Sequence, residues 1–243
     1  MKIERLRSEK GFGLVGFMAL MPLLLAVLSF ISGVVMIMKT NSRLTHECRT
    51  ELLERQRSVS NQLNQLIAMN KVATALRAAR KLADAEVVAT LPFPPAHAAA
   101  VAAQNLVKAE QAAFKYMQQS VIQAARVQSS TAPGIAAFNL RRVLNEEVNA
   151  VSSNRANPRT QSNRPYVDLV ESPKADASSD YNPSETFTKQ QEMKVSLEVD
   201  LNSVLPGWLK ALLPTKGLRL KTNCSATIEK ENSKWIEKLS AAR

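Results

Sequence analysis

Residues 11–38 read GFGLVGFMALMPLLLAVLSFISGVVMIM, without one charged side chain. At about 1.5 Å of rise per residue, a helix over this stretch is roughly 42 Å long. A bilayer hydrocarbon core is about 30 Å thick. The run is apolar on every face, unlike the surface helix of a soluble domain, which keeps one polar side. It predicts a single transmembrane helix with a turn or two to spare for tilt.

The flanks give an orientation. Before the run stands MKIERLRSEK, with Lys2, Arg5, Arg7 and Lys10, and after it come Lys39 and Arg43 in a stretch of mixed sign. The positive-inside rule counts basic residues alone and puts the N-terminus in the cytoplasm. Everything after Met38 is then expected outside a bacterial inner membrane, in the periplasm or beyond. A removed signal peptide has an apolar region of about 7–15 residues, roughly half of what stands here. Ile31-Ser32-Gly33 is also a poor A-x-A cleavage site. An anchor that stays with the protein is expected.

Lys10-Gly11-Phe12 ahead of an apolar helix resembles a prepilin peptidase site, cut after the Gly. Gly11-Phe12-Gly13-Leu14-Val15-Gly16-Phe17, with Pro22 and Leu23-Leu24-Leu25 beyond, resembles the TadE/TadG-like pseudopilins (minor pilins) of tight-adherence (Tad, Flp-type) pilus systems. The resemblance implies processing between Gly11 and Phe12 and an assembly helix over Phe12–Met38, marked by Gly16, Phe17 and Pro22. It implies a structural role in assembling or tipping a pilus, hence adhesion or surface motility. The implied partners are a prepilin peptidase, the inner-membrane pilus platform, sibling pseudopilins and membrane lipid. Phe17 matches the family's aromatic. Gly16 stands where the family usually has a Glu that helps to dock a subunit into the filament, and this departure suits a tip, initiator or non-assembled member. Pro22 reads equally as an ordinary transmembrane proline, which removes a backbone donor and is tolerated as a kink. A competing reading is a signal-anchored envelope protein whose basic domain binds membrane or an anionic polymer outside any pilus.

The remaining chain is expected to be α+β: the transmembrane helix continuing into a long amphipathic helix, a helical hairpin in the middle, and a C-terminal antiparallel strand pair. Scarce aromatics (5%) and the alanines between 70 and 126 favour helices packed through small residues. By boundaries, a leader covers 1–10, the assembly helix 11–38, a helical stalk and hairpin 39–151, a polar linker 152–191, a β-hairpin head 192–230 and a tail 231–243. Leu44, Cys48, Leu52, Val59, Leu63, Leu66, Leu76 and Leu82 recur mostly at helical steps up to about Ala89, with a joint near Thr40-Asn41-Ser42. Gln56 and Asn70 intrude on that pattern, which ranks a coiled coil second. Leu91-Pro92-Phe93-Pro94-Pro95 ends the helix. A second helix is expected over about Ala96–Gln128, a turn at Ser129-Ser130-Thr131-Ala132-Pro133-Gly134, and a third helix over about Ile135–Val151.

Beyond 152 the chain is rich in Ser, Asn and Pro and reads as linker, with Tyr166–Val170 a candidate edge strand. Then the period changes to two. Met193, Val195, Leu197, Val199 and Leu201 alternate with polar residues, as do Leu218, Leu220, Thr222, Cys224, Ala226 and Ile228. Between them, Val204-Leu205-Pro206-Gly207-Trp208 and the leucines after it make an apolar connector, expected to cap the head's core or to meet a membrane interface. This order of strand, connector and strand also resembles TadE-like C-termini. The last residues, with Trp235, read as a short amphipathic helix.

Cys48 and Cys224 are the two cysteines. Outside the cytoplasm they are a candidate disulfide, with two separate buried thiols as the alternative. With His46 and His97 they have no metal-ligand spacing. The net charge of +11 suits an anionic partner or simply a solvated basic surface, and no zinc-finger, RNA-binding motif or interleaving of aromatics with basics points to nucleic acid. No G-x-S-x-G, Walker A, G-x-G-x-x-G or H-E-x-x-H occurs, and Glu146-Glu147 reads as a solvated pair. No enzyme, cofactor or metal is expected.

Overall fold

A computed structural model describes residues 2–149, 156–172, 180–184, 186–205, 207, 210, 217, 219–232 and 234–240, without the side chains of 2–16 and 172. Of the connector, Val204 and Leu205 are described and buried, while Trp208 lies outside the described residues. The elements in order are α1 (Lys2–Ala89), α2 (Pro94–Asn149), β1 (Arg159–Ser162), β2 (Leu169–Ser172), β3 (Asp180–Pro183), α3 (Phe187–Gln190), β4 (Met193–Asp200), α4 (Leu201–Val204), β5 (Arg219–Glu231) and β6 (Lys234–Leu239). The fold is α+β. One sheet has the order β1-β4-β5-β6, and β2 and β3 form a separate two-stranded ribbon.

The apolar run and the amphipathic stretch are one helix. No joint occurs at residues 40–42. Thr40 is buried, Thr45 bonds back to the Asn41 carbonyl at 2.8 Å, and the Asn41 Oδ1 accepts from the Thr222 hydroxyl at 3.2 Å. These polar side chains fix the helix to β5 instead of breaking it. α1 stops at Ala89, ahead of the prolines. The Thr90 amide and hydroxyl both donate to the Glu86 carbonyl, at 3.0 and 2.8 Å. The prolines then open α2, where a missing N–H costs no helical bond.

The turn expected at 129–134 is absent, and with it the break between the second and third helices. α2 runs through Pro133. The reason is packing. Ser129, Ala132, Ala136, Ala137 and Leu140 are all buried at helical spacing, so straightening the chain keeps one continuous stripe in contact. Thr131 donates to the Val127 carbonyl at 2.8 Å, a local bond compatible with the helix. The chain instead reverses at residues 90–93. Gln62 meets Gln128, Gln111 the Leu76 carbonyl and Gln104 Asp84, so α1 and α2 run antiparallel there.

The stretch 152–191 is not a linker where it is described. It contains β1, β2, β3 and α3, and Val167, Tyr181, Phe187 and Gln191 are buried. The alternating strands are present as β4 and β5, with Met193, Val195, Leu197 and Val199, and Leu220, Thr222, Cys224, Ala226 and Ile228, inward. They are neighbours inside a larger sheet. The C-terminal tail is a strand, not a helix. β6 pairs antiparallel with β5 in the register Lys230↔Trp235 and Ala226↔Leu239. The reversal passes through Asn232 at φ 46°, a left-handed conformation that Asn tolerates.

The chain divides into two compact units, one of residues 1–47, 138–160 and 196–222, the other of residues 48–137, 161–195 and 223–243. The first holds a core of Leu44, Leu140, Leu144, Val148, Leu197, Val199 and Leu205. The second packs Leu52, Val59, Leu63, Leu66, Ile122, Val195 and Ile228.

Candidate functional site, an apolar helix and an amide clasp

Gly11, Phe12 and Gly16 all lie within α1, and their side chains are outside the described residues. Phe17 is 61% exposed, and Met18, Leu20, Leu23, Leu25, Leu28 and Phe30, spread over most of the helix circumference, are each about half exposed or more. Pro22 sits inside the helix and has no N–H for the Met18 carbonyl. Only 6% of the most apolar stretch is buried. Leaving a large apolar side chain in water rather than burying it costs about 1.5–3 kcal/mol each. The helix is long and apolar enough to cross a membrane.

The second unit is held by side-chain amides on α1. Asn64 accepts from the Trp235 amide at 2.9 Å and donates to its carbonyl at 2.8 Å. Asn70 does the same for Tyr181 on β3, at 3.1 and 2.9 Å. A carboxamide carries a donor and an acceptor spaced like those of a peptide, so each Asn stands in for a missing strand partner. Gln56 is fully buried and donates to the carbonyls of Gln191 at 2.6 Å and Ala226 at 3.1 Å. The Gln191 side chain in turn accepts from Ser129 on α2 at 3.1 Å. This polar seam joins both helices to β5. Arg77 adds a two-pronged bond to Asp180, at 2.9–3.0 Å. Phe187 packs edge-on against Trp235 with centroids 5.2 Å apart.

Cys48 and Cys224 are bonded, buried, with Cα atoms 6.2 Å apart, within the range of disulfides. Two open alternatives thus resolve into one cross-link between α1 and β5. His46 is exposed. His97 has Nδ1 at 3.2 Å from the Val87 carbonyl. Among the described residues, no group of three or more His, Cys, Asp or Glu could hold a metal ion.

In the first unit, Glu146 is exposed, while Glu147 is half-buried and pairs with Arg43. Arg219 on β5 bonds Glu198 on β4 at 2.8 Å. That bond holds the Glu198 carboxyl below its ordinary range and raises the Arg219 guanidinium. In the second unit, the Gln104 amide, helped by Arg80, holds Asp84 below its ordinary value. Burial pushes the Tyr181 phenol up, with nearby Glu171 adding to the shift.

Sequence reading missed the clasp. Gln56 and Asn70 intruded on the helical stripe and Asn64 was not singled out, yet a polar residue on an apolar face must find a partner. That was the available signal. No protein-family model, no curated protein and no solved structure matches the chain.

Proposed function

We propose that this protein is a TadE/TadG-like pseudopilin, a structural component of tight-adherence pilus assembly anchored in a bacterial inner membrane. The observation that carries the reading is the largely exposed apolar helix following Lys10-Gly11-Phe12 and running unbroken into the helix that organises the rest of the chain. A helix of this kind serves as an anchor before assembly and as a packing element after it. The basic leader would remain in the cytoplasm, the peptidase would cut after Gly11, and the disulfide-bonded chain beyond Met38 would lie outside. The partners are the prepilin peptidase, the inner-membrane platform, other pseudopilins and lipid. The role is structural and assigns no catalysis.

Gly16 favours a second reading. Without the Glu that docks subunits, the same chain serves as a signal-anchored envelope protein that never enters a filament. Mass spectrometry of the membrane-extracted N-terminus, with and without a prepilin peptidase, separates the two. A chain beginning at Phe12 only when the peptidase is present supports the pseudopilin. A chain still beginning at Met1 in both cases overturns it.

A further inference from the structure

Within the second unit, the turn between α1 and α2 ends the helical hairpin in an apolar tip. From Val87 to Ala103 the sequence carries no charged residue, and its only polar side chains are Thr90 and His97. Val88, Leu91 and Phe93 are 65%, 61% and 65% exposed, with Pro92, Pro94 and Pro95 exposed among them.

The polar groups of the tip are turned inward. The Thr90 amide and hydroxyl both donate to the Glu86 carbonyl, and His97 Nδ1 lies 3.2 Å from the Val87 carbonyl. Both polar side chains thus cap the end of α1. The Leu91 amide donates to the Val88 carbonyl at 3.4 Å and the Phe93 amide to the Thr90 carbonyl at 2.9 Å. A helix ordinarily opens with four N–H groups that lack helical partners. In α2 two of these do not exist, at Pro94 and Pro95, and the His97 amide donates to the Phe93 carbonyl at 2.9 Å. Water or a protein partner can meet such groups from outside. Hydrocarbon cannot, so a segment that enters lipid must meet its own.

The charges behind the tip cancel. Arg80, Lys81 and Lys108 stand against Asp84, Glu86 and Glu110, and Arg80 bonds Asp84 at 2.8 Å. The contacts of Gln104 with Asp84 and of Gln111 with Leu76 set Lys81 level with Lys108. Both lysines are exposed, and Lys108 also donates to the Gln104 side chain at 2.9 Å. Lys81 stands about 10 Å along α1 from Val88.

We propose that this tip inserts Val88, Leu91 and Phe93 into the surface of a phospholipid bilayer, a second lipid contact besides the apolar run of α1. Lys81 and Lys108 then lie near headgroup level, where their long stems let the ammonium groups reach phosphates. With no net charge at the tip, the contact is apolar and resists salt. The proposal does not depend on the filament reading.

The full chain, held by its apolar run in phosphatidylcholine nanodiscs, is mixed with phosphatidylcholine vesicles in about 1 M salt, which screens charges beyond about 3 Å. Flotation reads the vesicle-bound fraction. The parent should float. Leu91→Ser/Phe93→Ser, with the apolar run intact, should bind about tenfold more weakly or worse at an unchanged melting temperature. Phe93→Trp keeps an aromatic suited to the interface and should float as the parent does. Absence of flotation, loss of it in Phe93→Trp, or equal flotation of the serine variant would overturn the proposal, the last by assigning binding to transfer of the apolar run. Flotation only with anionic vesicles at low salt would overturn it in favour of the net charge of +11. Pairing of nanodiscs without vesicles, abolished by the serines, would overturn it in favour of a second copy of the chain.

Discussion

The carboxamide of Asn64 on α1 closes both backbone hydrogen bonds of Trp235 on β6, at 2.8 and 2.9 Å. A residue 171 positions away in sequence thus does for an edge strand what a neighbouring strand would do. Both Asn64 and Asn70 grip one residue at both ends, so each sets the register of a strand against the helix as well as holding it. Losing such a grip leaves partly buried peptide groups unmet, at about 1–3 kcal/mol.

Asn64→Ala should therefore lower the stability of the purified chain by about 1–3 kcal/mol, read by denaturant unfolding. Asn64→Asp is the sharper test. It keeps the acceptor for the Trp235 amide but sets a carboxylate oxygen against the Trp235 carbonyl, so it should be at least as damaging. An Asp variant as stable as the parent would refute the two-way grip.

These contacts mark the limit of what the sequence made legible. Period-two alternation located β4 and β5 because half-buried strands write their geometry into adjacent residues. The prolines at 92, 94 and 95 located the end of α1 for the same local reason. Cys224 on the apolar face made a pairing with Cys48 a candidate. By contrast, the partners of Asn64 and Asn70 lie more than a hundred residues away, and no local pattern encodes them. At 129–134 local turn chemistry pointed the wrong way, because burial of Ala132, Ala136 and Leu140 outweighed it. β6 was missed because a strand of six residues with only Trp235 buried has too little alternation to separate from a short helix.

Pro133→Ala tests the continuity of α2. Inside a helix, proline is about 3 kcal/mol less favourable than alanine, and the substitution restores an N–H for the Ser129 carbonyl. Loss of buried ring contacts offsets part of this gain. The melting temperature should hold or rise. A clear fall would mean that the proline serves a turn after all.

The cross-link between Cys48 and Cys224 spans 176 residues. Closing so long a loop in the unfolded chain is worth about 5 kcal/mol in the chain-entropy account, with measured values more often about 2–4 kcal/mol. Cys48→Ser/Cys224→Ser, or reduction of the parent, should lower the unfolding midpoint by an amount in that range. The reduced parent and the double variant should agree. If reduction leaves the midpoint unchanged, the bond contributes nothing.

Acid should weaken the fold through carboxylates that are hydrogen-bonded in it. Asp84 and Glu198 both have folded values held below their ordinary ones of 3.8 and 4.5, chiefly by the Gln104 amide and by Arg219. A depressed folded value means that the native state binds protons less readily than the unfolded one. The stabilisation is therefore complete above the ordinary values and is lost as pH falls through the depressed ones. Melting scans should show a decline beginning near pH 4.5 and a shallower decline in Asp84→Asn/Glu198→Gln. Because both groups are solvent-exposed, salt should shrink the difference. An unchanged slope in the double variant would remove these two groups from the account.

The apolar helix makes the last prediction. Leu24 and Leu28 are exposed at 53% and 62%, one turn apart on the same face. A lysine near the centre of a spanning helix costs about 2.5–3.5 kcal/mol to insert, and the lost leucine forfeits a further 0.3–0.6 kcal/mol or so. Leu24→Lys/Leu28→Lys should thus disfavour insertion by roughly 6–8 kcal/mol. Alanine at the same two positions keeps the run uncharged and should be tolerated. Carbonate extraction of cell membranes reads the outcome. The parent and the alanine variant should stay with the pellet, and the lysine variant should appear in the supernatant or be degraded. Retention of all three in the pellet would mean that Phe17–Met38 is not what holds the chain to the membrane. Release of all three would mean that its exposed apolar surface is covered by protein rather than lipid.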